Sequence, residues 1–221
     1  NSLAAELAKA GIKTKLASRR AVNTQSNQTW LKTDLLNPAE VLEATKGSEV
    51  IYLCAGLVYD KNIWKEQWPR VMQNVINASK EAGARLIFFD NVYMYGKVEG
   101  RMLETSPYKP CSVKGEVRAK VATMLMDEVD AGNLDASIAR AADFYGATSS
   151  MNSFFDMMVL EKYSKKRKAM WLGKPDTLHS FSYVPDAGRA MFLLGQTPKS
   201  SKQIWHLPTA KAMTGYDFLA T

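Results

Sequence analysis

The sequence predicts an α/β fold in which a doubly wound parallel sheet carries helices on both faces. Short apolar stretches rich in β-branched residues recur at 50–54, 85–89 and 136–141, which is typical of buried parallel strands. Longer segments with helical character follow the first two of them, at 68–82 and 114–131. Strands that alternate with helices form βαβ units, and their right-handed crossovers produce a parallel sheet covered on both sides.

Shorter elements are predicted before and after this series. Residues 2–10 carry leucines at helical spacing and precede Gly11, a residue type that often terminates helices. A strand at 13–17 follows, and Asn37 then provides a helix cap with a proline in the first turn. The last predicted strand lies at 204–207.

Length and composition indicate one main globular core with part of a second region. Of the 221 residues, 46% are hydrophobic and 23% are charged, which is the balance of a folded enzyme or binding protein. The regular alternation of strands and helices weakens from about residue 148. We therefore expect a first domain at 1–147 and a mixed region at 148–221.

The formal net charge of +7 suits three classes of partner: nucleic acid, an anionic surface or a phosphorylated ligand. Its densest cationic run, at 162–168, is typical of a solvated helix end, and no stacking motif or recognition helix accompanies it. The apolar stretches are shorter than the roughly 20 residues of a membrane span, and no leader segment opens the chain. We expect a cytoplasmic protein with a small-molecule ligand and with neither nucleic acid nor membrane as a partner.

The cysteines and histidines are too few and too scattered for a metal centre. Cys54 and Cys111 form no CxxC pair, so neither a disulfide framework nor a zinc site is indicated, and a reducing compartment fits. His179 and His206 are isolated in the sequence, so we assign no metal.

A series of polar and small residues at the predicted strand ends identifies a family. In chain order the series is Arg19-Arg20, Asp34-Leu35, Cys54-Ala55-Gly56, Asn74 and Tyr93-Met94-Tyr95-Gly96. This order resembles the extended short-chain dehydrogenases/reductases, the NAD-dependent epimerase/dehydratase group. The resemblance runs nearly end to end. It implies a Rossmann-like dinucleotide-binding domain at 1–147 and a small substrate-side subdomain, interleaved with elements of the first domain, at 148–221.

The same resemblance implies segments beyond both ends of the chain. In the family, a strand and a glycine-rich phosphate loop immediately precede a helix that resembles residues 1–10. We therefore expect this first strand and its phosphate loop to be missing before Asn1, and a further part to be missing after Thr221.

The resemblance also assigns cofactor-binding residues. NAD enzymes of this architecture place an acid after the second strand, whereas Arg19 and Arg20 stand there in this chain and match a 2′-phosphate, so NADP is expected over NAD. The remaining positions implied by the resemblance are Asp34, Leu35, Cys54, Ala55, Gly56, Asn74, Lys114, Ala141 and Phe144.

The catalytic positions depart from the family pattern. The family uses a tyrosine, a lysine four residues later and a serine or threonine after the preceding strand. Lys114 stands at the tyrosine position, Arg118 at the lysine position and Asn91 at the serine position. The YxxxK site is therefore degenerate, and Tyr93, two residues beyond Asn91, is the nearest tyrosine that could donate a proton.

Two functions remain open from these residues. The first is an NADP-dependent oxidoreductase or epimerase, acting on a carbonyl or hydroxyl of a small molecule such as a sugar derivative, with Tyr93, Lys114 and Asn91 as its catalytic residues. Lys114 would then bind the nicotinamide ribose or tune Tyr93. The second is a catalytically silent NADP-binding sensor or scaffold protein. Packing is the alternative role for Tyr93.

Two further positions differ from the family on the substrate side. Asp143 replaces an asparagine, and its carboxylate could repel a phosphorylated sugar, act as a base or cap the surface. His179 replaces an arginine that often contacts a nucleotide-sugar phosphate in the family.

A homodimer is also compatible with the sequence, because the family often pairs through the helix predicted at 114–131. Core packing is the alternative role for its apolar residues, which are Val121, Met124, Leu125 and Met126.

Overall fold

Helices and strands alternate along the chain in a computed structural model that describes residues 2–146, 158–159, 161–171 and 173–220. The strands are β1 (Thr14–Ser18), β2 (Gln28–Lys32), β3 (Val50–Leu53), β4 (Arg85–Asp90), β5 (Ala136–Arg140), β6 (Asp143–Tyr145), β7 (Phe181–Tyr183) and β8 (Ile204–His206). The helices are α1 (Ser2–Lys9), α2 (Pro38–Thr45), α3 (Lys61–Ala82), α4 (Val113–Asp130), α5 (Glu161–Ser164), α6 (Val184–Gln196) and α7 (Gly215–Ala220).

Four strands form the main sheet in the order β3-β4-β5-β8, and all of their pairings are parallel. One core cluster packs α3 and α4 against one face of this sheet, and a second packs α1 and α6 against the other. β1 and β2 form a separate parallel pair, as do β6 and β7. The predicted doubly wound α/β fold is therefore confirmed.

The predicted start of α3 was wrong by seven residues, since the helix begins at Lys61 rather than at 68. Proline is typical of a first helical turn, so Pro69 favoured the later start. The true N-terminus is set by Asp60, whose Oδ1 accepts hydrogen bonds from the backbone N–H groups of Asn62 and Ile63. Pro69 lies inside the helix, where burial of the neighbouring Trp68 offsets the backbone hydrogen bond that proline lacks.

The apolar residues of α4 lie mostly in the core. Val121 and Leu125 are fully buried between α4 and the sheet, and Met124 and Met126 are half-buried against the same cluster. Core packing is therefore the role that the structure gives to Val121 and Leu125.

The second region shares elements with the main sheet. α6 packs on α1, and β8 pairs with β5, although both follow the expected boundary near residue 148. The boundary itself lies at residues outside the described ranges and stays a prediction. Within the described part of the chain, no helix is both long and apolar enough to cross a membrane.

Candidate active site

The candidate site lies where the parallel strands end. Asp90 closes β4 and pairs in register with Arg140, the last residue of the neighbouring strand β5. In open α/β sheets, ligands bind in the crevice outside the carboxyl ends of the strands. The residues that follow β1, β3, β4 and β5 therefore form the edge where a ligand is expected.

Arg19 and Arg20 follow β1 directly, and both are exposed. Ser18 Oγ donates a hydrogen bond to the carbonyl oxygen of Arg20 at 2.7 Å, and Trp30 Nε1 donates to that Oγ at 3.0 Å, which fixes the turn. Within the described residues, neither guanidinium forms an ion pair with a carboxylate. Two unpaired guanidinium groups can receive a phosphate group.

The segment after β3 offers an open floor. Cys54 and Gly56 are exposed, and Ala55 is half-buried. Apart from the residues next to it in the chain, a Cβ atom added to Gly56 would meet no heavy atom of the described residues within 4 Å. Small residues beside open space allow a ligand to approach the backbone closely. This observation and the free arginines fit a dinucleotide.

Asp34, Leu35 and Asn74 each take part in a hydrogen bond within the protein. Asp34 Oδ1 accepts from the N–H of Leu36 at 3.0 Å, and Asn74 Nδ2 donates to the carbonyl oxygen of Leu35 at 2.9 Å. Asn74 therefore ties α3 to the loop after β2. Contact of these three residues with a dinucleotide stays a prediction.

Asn91 shapes the turn after β4. Its Oδ1 accepts a hydrogen bond from the backbone N–H of Tyr93 at 3.0 Å and so starts the short 3₁₀ helix Tyr93–Tyr95. Because the oxygen of the amide serves this turn, its NH₂ group can donate to a ligand. Asn91 can therefore bind a substrate oxygen without carrying a proton for it.

Tyr93 is held as a neutral phenol. Burial raises the pKa of Tyr93, the hydrogen bond between its hydroxyl and that of Tyr59 (3.4 Å) adds to the effect, and the negative charge of Asp143 adds further. Its ring also stacks on Trp64 with centroids 6.3 Å apart. A tyrosine with a raised pKa donates a hydrogen bond near neutral pH and is a poor base.

Lys114 contacts Tyr59. Its Nζ lies 3.0 Å from the centroid of the Tyr59 ring and donates to the carbonyl oxygen of Tyr59 at 3.2 Å. These contacts hold the ammonium by a cation–π interaction and a hydrogen bond. Within the described residues, Lys114 reaches Tyr93 through Tyr59, whose hydroxyl donates to that of Tyr93, so tuning of Tyr93 by Lys114 stays a prediction.

Arg118 belongs to a closed charge network behind the cleft. Its Nε donates to Asp90 Oδ1 at 2.7 Å, and the guanidinium lies 4.3 Å from the centroid of the Trp68 ring. Arg140 Nε is 3.5 Å from Asp90 Oδ2. All three charged residues are buried, with exposures of 1 to 3%. A paired and buried arginine at the family's lysine position acts in folding rather than on a ligand.

The tyrosines around Arg140 extend this network. Arg140 donates to the hydroxyl groups of Tyr95 and Tyr108, and the Tyr95 hydroxyl lies 2.8 Å from His206 Nε2. Burial raises the pKa of Tyr95, and burial lowers the pKa of His206. Tyr95 is therefore a packing residue with satisfied polar contacts.

Ala141 directly follows β5, and Phe144 lies in β6. Ala141 is 1% exposed, and its N–H donates to the carbonyl oxygen of Asp90 at 3.1 Å. Phe144 stacks on Phe89 with centroids 5.5 Å apart. The structure thus places Ala141 in the core and Phe144 in an aromatic pair, and contact of either with a cofactor stays a prediction.

Sequence reasoning missed one pair. His179 Nε2 lies 2.9 Å from Asp143 Oδ2, so the two departures from the family on the substrate side meet each other. The sequence offered one signal for this contact, since Asp143 begins a short aromatic strand and His179 lies just before another. The two residues are 36 positions apart in the sequence, so this signal did not show that they meet.

Comparisons with known proteins agree with this architecture. A model of the NAD-dependent epimerase/dehydratase family matches residues 1–207. No curated relative matches the sequence. Similar solved structures include UDP-glucose 4-epimerase from Thermus thermophilus in complex with NAD, with a TM-score of 0.81 and 17% identity over 99% of this chain and 77% of that one.

Two further solved structures share the fold. The dTDP-glucose 4,6-dehydratase from Streptomyces venezuelae has a TM-score of 0.83 and 14% identity, and covers 99% of this chain and 75% of that one. UDP-N-acetylglucosamine 4-epimerase from Methanobrevibacter ruminantium has a TM-score of 0.83 and 16% identity, with 99% and 76% covered. At these identities the likeness shows the fold, while the family model spans nearly the whole sequence; the chain belongs to the NAD-dependent epimerase/dehydratase family.

Proposed function

We propose that the protein binds NADP and oxidises or reduces a hydroxyl or carbonyl group of a sugar derivative, as an epimerase or reductase. The observation that carries this proposal is the unpaired, exposed pair Arg19 and Arg20 at the carboxyl end of β1. The family takes its name from NAD, and guanidinium groups at this position favour the additional 2′-phosphate of NADP. The nicotinamide, when bound, supplies the hydride acceptor or donor.

The chain's own residues would hold the substrate oxygen. The NH₂ group of Asn91 and the neutral phenol of Tyr93 are both hydrogen-bond donors at the turn after β4. Two donors that converge on a carbonyl oxygen stabilise the negative charge that develops there during reduction. This role needs no proton transfer from either residue.

The proposed substrate class is supported by the family and its fold neighbours. The solved structures of similar fold include epimerases and a dehydratase that are named for nucleotide-linked sugars. A sugar derivative also suits the half-buried ring of Tyr93, which is backed by Trp64, with amide and hydroxyl donors beside it.

A catalytically silent NADP-binding sensor or scaffold is the second candidate. It is favoured by the fate of the two YxxxK positions: Lys114 is engaged by Tyr59, and Arg118 is buried in an ion pair. Neither position then moves a proton. Dinucleotide binding without turnover on any sugar derivative would select this candidate.

The test of the cofactor proposal is a titration of the full-length protein with NADPH and NADH, in which the fluorescence of the bound dinucleotide measures binding. We expect tighter binding of NADPH. Replacing both Arg19 and Arg20 by alanine removes charged hydrogen bonds to the 2′-phosphate and should weaken NADPH more than about tenfold, with NADH nearly unchanged.

The matched control is Arg70→Ala, which removes an exposed arginine of α3 whose contact is an i,i+4 pair with Glu66. It should leave both affinities unchanged. Equal loss of NADPH and NADH affinity in the double arginine variant would contradict the 2′-phosphate role. Absence of binding by either dinucleotide would contradict the proposed function as a whole.

We also propose a cytoplasmic location and a homodimer. The location is supported by Cys54 and Cys111, which are both free thiols and therefore suit a reducing compartment. A dimer would use the outer faces of α3 and α4, since Val121 and Leu125 are already buried. Sedimentation velocity on the full-length protein distinguishes monomer from dimer.

A further inference from the structure

Asp143 and His179 lie on one face of the small sheet formed by β6 and β7. Asp143 pairs in register with Phe181, and His179 precedes Phe181 by two residues. Side chains two residues apart along an extended segment share a face, so His179 lies diagonally opposite Asp143. The result is the 2.9 Å contact between His179 Nε2 and Asp143 Oδ2.

His179 is fixed although it is exposed. Its backbone exchanges two hydrogen bonds with Met213, at 2.9 and 3.0 Å, in an antiparallel bridge. Its ring packs on Phe181 with centroids 4.6 Å apart, and its side chain remains 44% exposed. An exposed polar group that is held by backbone, ring and carboxylate contacts is preorganised for a ligand.

The pair lies at the same edge of the fold as the turn after β4. Asp143 follows β5 by three residues, just as Tyr93 follows β4 by three, and β4 and β5 are adjacent parallel strands. Phe144, next to Asp143, stacks on Phe89, next to Asp90 at the end of β4, and the negative charge of Asp143 contributes to the raised pKa of Tyr93. Asn91, Tyr93, Asp143 and His179 therefore gather at one edge of the sheet.

We propose that Asp143 and His179 form the proton-transfer pair of this cleft, with His179 as the catalytic residue and Asp143 as its positioning residue. This inference rests on the proposed function. It assigns proton transfer to a histidine and a carboxylate, whereas Lys114 contacts Tyr59 and Arg118 is paired with Asp90.

The chemistry follows from the contact. A carboxylate accepts the Nε2–H of His179, so the neutral ring keeps its lone pair on Nδ1. In one direction, the O–H bond of a substrate hydroxyl breaks, the proton joins Nδ1 and the electron pair stays on oxygen. In the other direction, the imidazolium returns the proton to oxygen. Asp143 balances the positive charge that His179 gains.

The pair also restricts the ligand class at this end of the cleft. Asp143 carries a negative charge beside His179, and Asn91 and Tyr93 supply neutral donors. Lys114 is held by Tyr59. Such a set suits the hydroxyl groups of a sugar ring better than a phosphate group, because no free cation is present among these side chains.

The test compares UDP-glucose with UDP, two probes that differ only in the sugar. The given sequence contains His179 and His206, and the imidazole nitrogen signals of His179 in ¹⁵N-histidine-labelled, full-length protein are assigned by their absence from the NMR spectrum of His179→Gln. We expect UDP-glucose to shift the Nδ1 signal of His179 and UDP to leave it in place. His179→Gln should weaken UDP-glucose about tenfold and leave UDP unchanged.

Variants of Asp143 separate a positioning role from a merely structural one. Asp143→Asn should change the nitrogen signals of His179 and weaken its response to UDP-glucose, and Asp143→Glu should restore both. Glu161→Gln removes the carboxylate of another exposed ion pair, that with Lys165, and should change neither. Tryptophan fluorescence reports overall binding of each probe independently of the histidines.

The inference is overturned if UDP-glucose binds without shifting the His179 signals, if UDP shifts them equally, or if UDP-glucose shows no saturable binding. These outcomes are distinct from failure of the proposed function, which is absence of NADPH and NADH binding. The UDP-glucose response is measured both with and without NADP, so each proposal is decided by its own titration.

Discussion

The closed charge network and the open cleft in front of it use similar residue types in opposite ways. In the network, Asp90 and Arg118 form an ion pair with exposures of 2 and 3%. In the cleft, Asp143 and His179 form a pair whose side chains are 51 and 44% exposed. A buried charge must be paired for the protein to fold, whereas an exposed pair contributes little to stability and stays available to a ligand.

This difference in burial explains how a charged residue at the position of the family's lysine can serve the core instead of a ligand. Arg118 occupies the position, but Asp90 and the rings of Trp68 and Phe88 enclose its guanidinium. Its contacts serve the core between α4 and the main sheet. Accessible polar groups lie on the turn after β4 and on the β6-β7 sheet, and we expect proton transfer to the substrate at these groups.

The largest expected effect is therefore in the network. Arg118→Met leaves the buried carboxylate of Asp90 with the hydrogen bond from the backbone N–H of Asn91 and the longer contact to Arg140, and should lower the free energy of unfolding by about 3–5 kcal/mol. Asp143→Asn, in the cleft, should cost less than about 1 kcal/mol. Urea denaturation followed by circular dichroism measures both. Similar losses for the two variants would break the comparison.

An intermediate effect is expected from two glycines on the closed and open sides. A Cβ at Gly115 would lie 2.6 Å from the carbonyl oxygen of Tyr93, so Gly115→Ala should destabilise the protein by about 1–3 kcal/mol. Gly56 has no such neighbour, and Gly56→Ala should change stability by less than about 0.5 kcal/mol. Thermal unfolding reports these changes.

Dinucleotide titration then sharpens the comparison at the open glycine. If the floor after β3 receives the cofactor, the added methyl group of Gly56→Ala lies in the space that the ligand needs, and NADPH binding should weaken severalfold despite normal stability. Unchanged NADPH affinity in a stable Gly56→Ala protein would place the cofactor elsewhere.

Local signals made most of the fold predictable. Gly11 ends the first helix with a positive φ of 73°, and Asn37 caps α2 through its side-chain oxygen, as their residue types indicated. The start of α3 lies at the Asp60 cap, although Pro69 is also a residue type of first helical turns. Both are typical of helix starts, and only the packing of the first turns decides between them.

The site was less predictable because its contacts join distant parts of the chain. Asn91, Tyr93 and Arg118 could be located from the family pattern, but the partners of Lys114 and Arg118 depend on tertiary packing. The pair Asp143 and His179 depends on the register of β6 with β7, which no local pattern determines. Sequence reasoning therefore located the residues that differ from the family pattern, but it did not show which of them contact each other in the fold.

The smallest effect concerns pH and the histidine of the closed network. Burial lowers the pKa of His206 below its ordinary value of 6.5, so below that pH the unfolded chain binds a proton that the folded protein does not. The free energy of unfolding should therefore fall as the pH falls from about 6.5 towards the folded pKa. His206→Gln keeps an acceptor for the Tyr95 hydroxyl and lacks the titrating group, so its stability should decline less between about pH 7.5 and about pH 5.5. Urea denaturation at both pH values measures this decline. The exposed acids with lowered pKa, such as Glu128 and Glu161, titrate below 4.5 and so contribute little in this pH range. An equal decline in the parent and the variant would therefore show that His206 is not desolvated by the network.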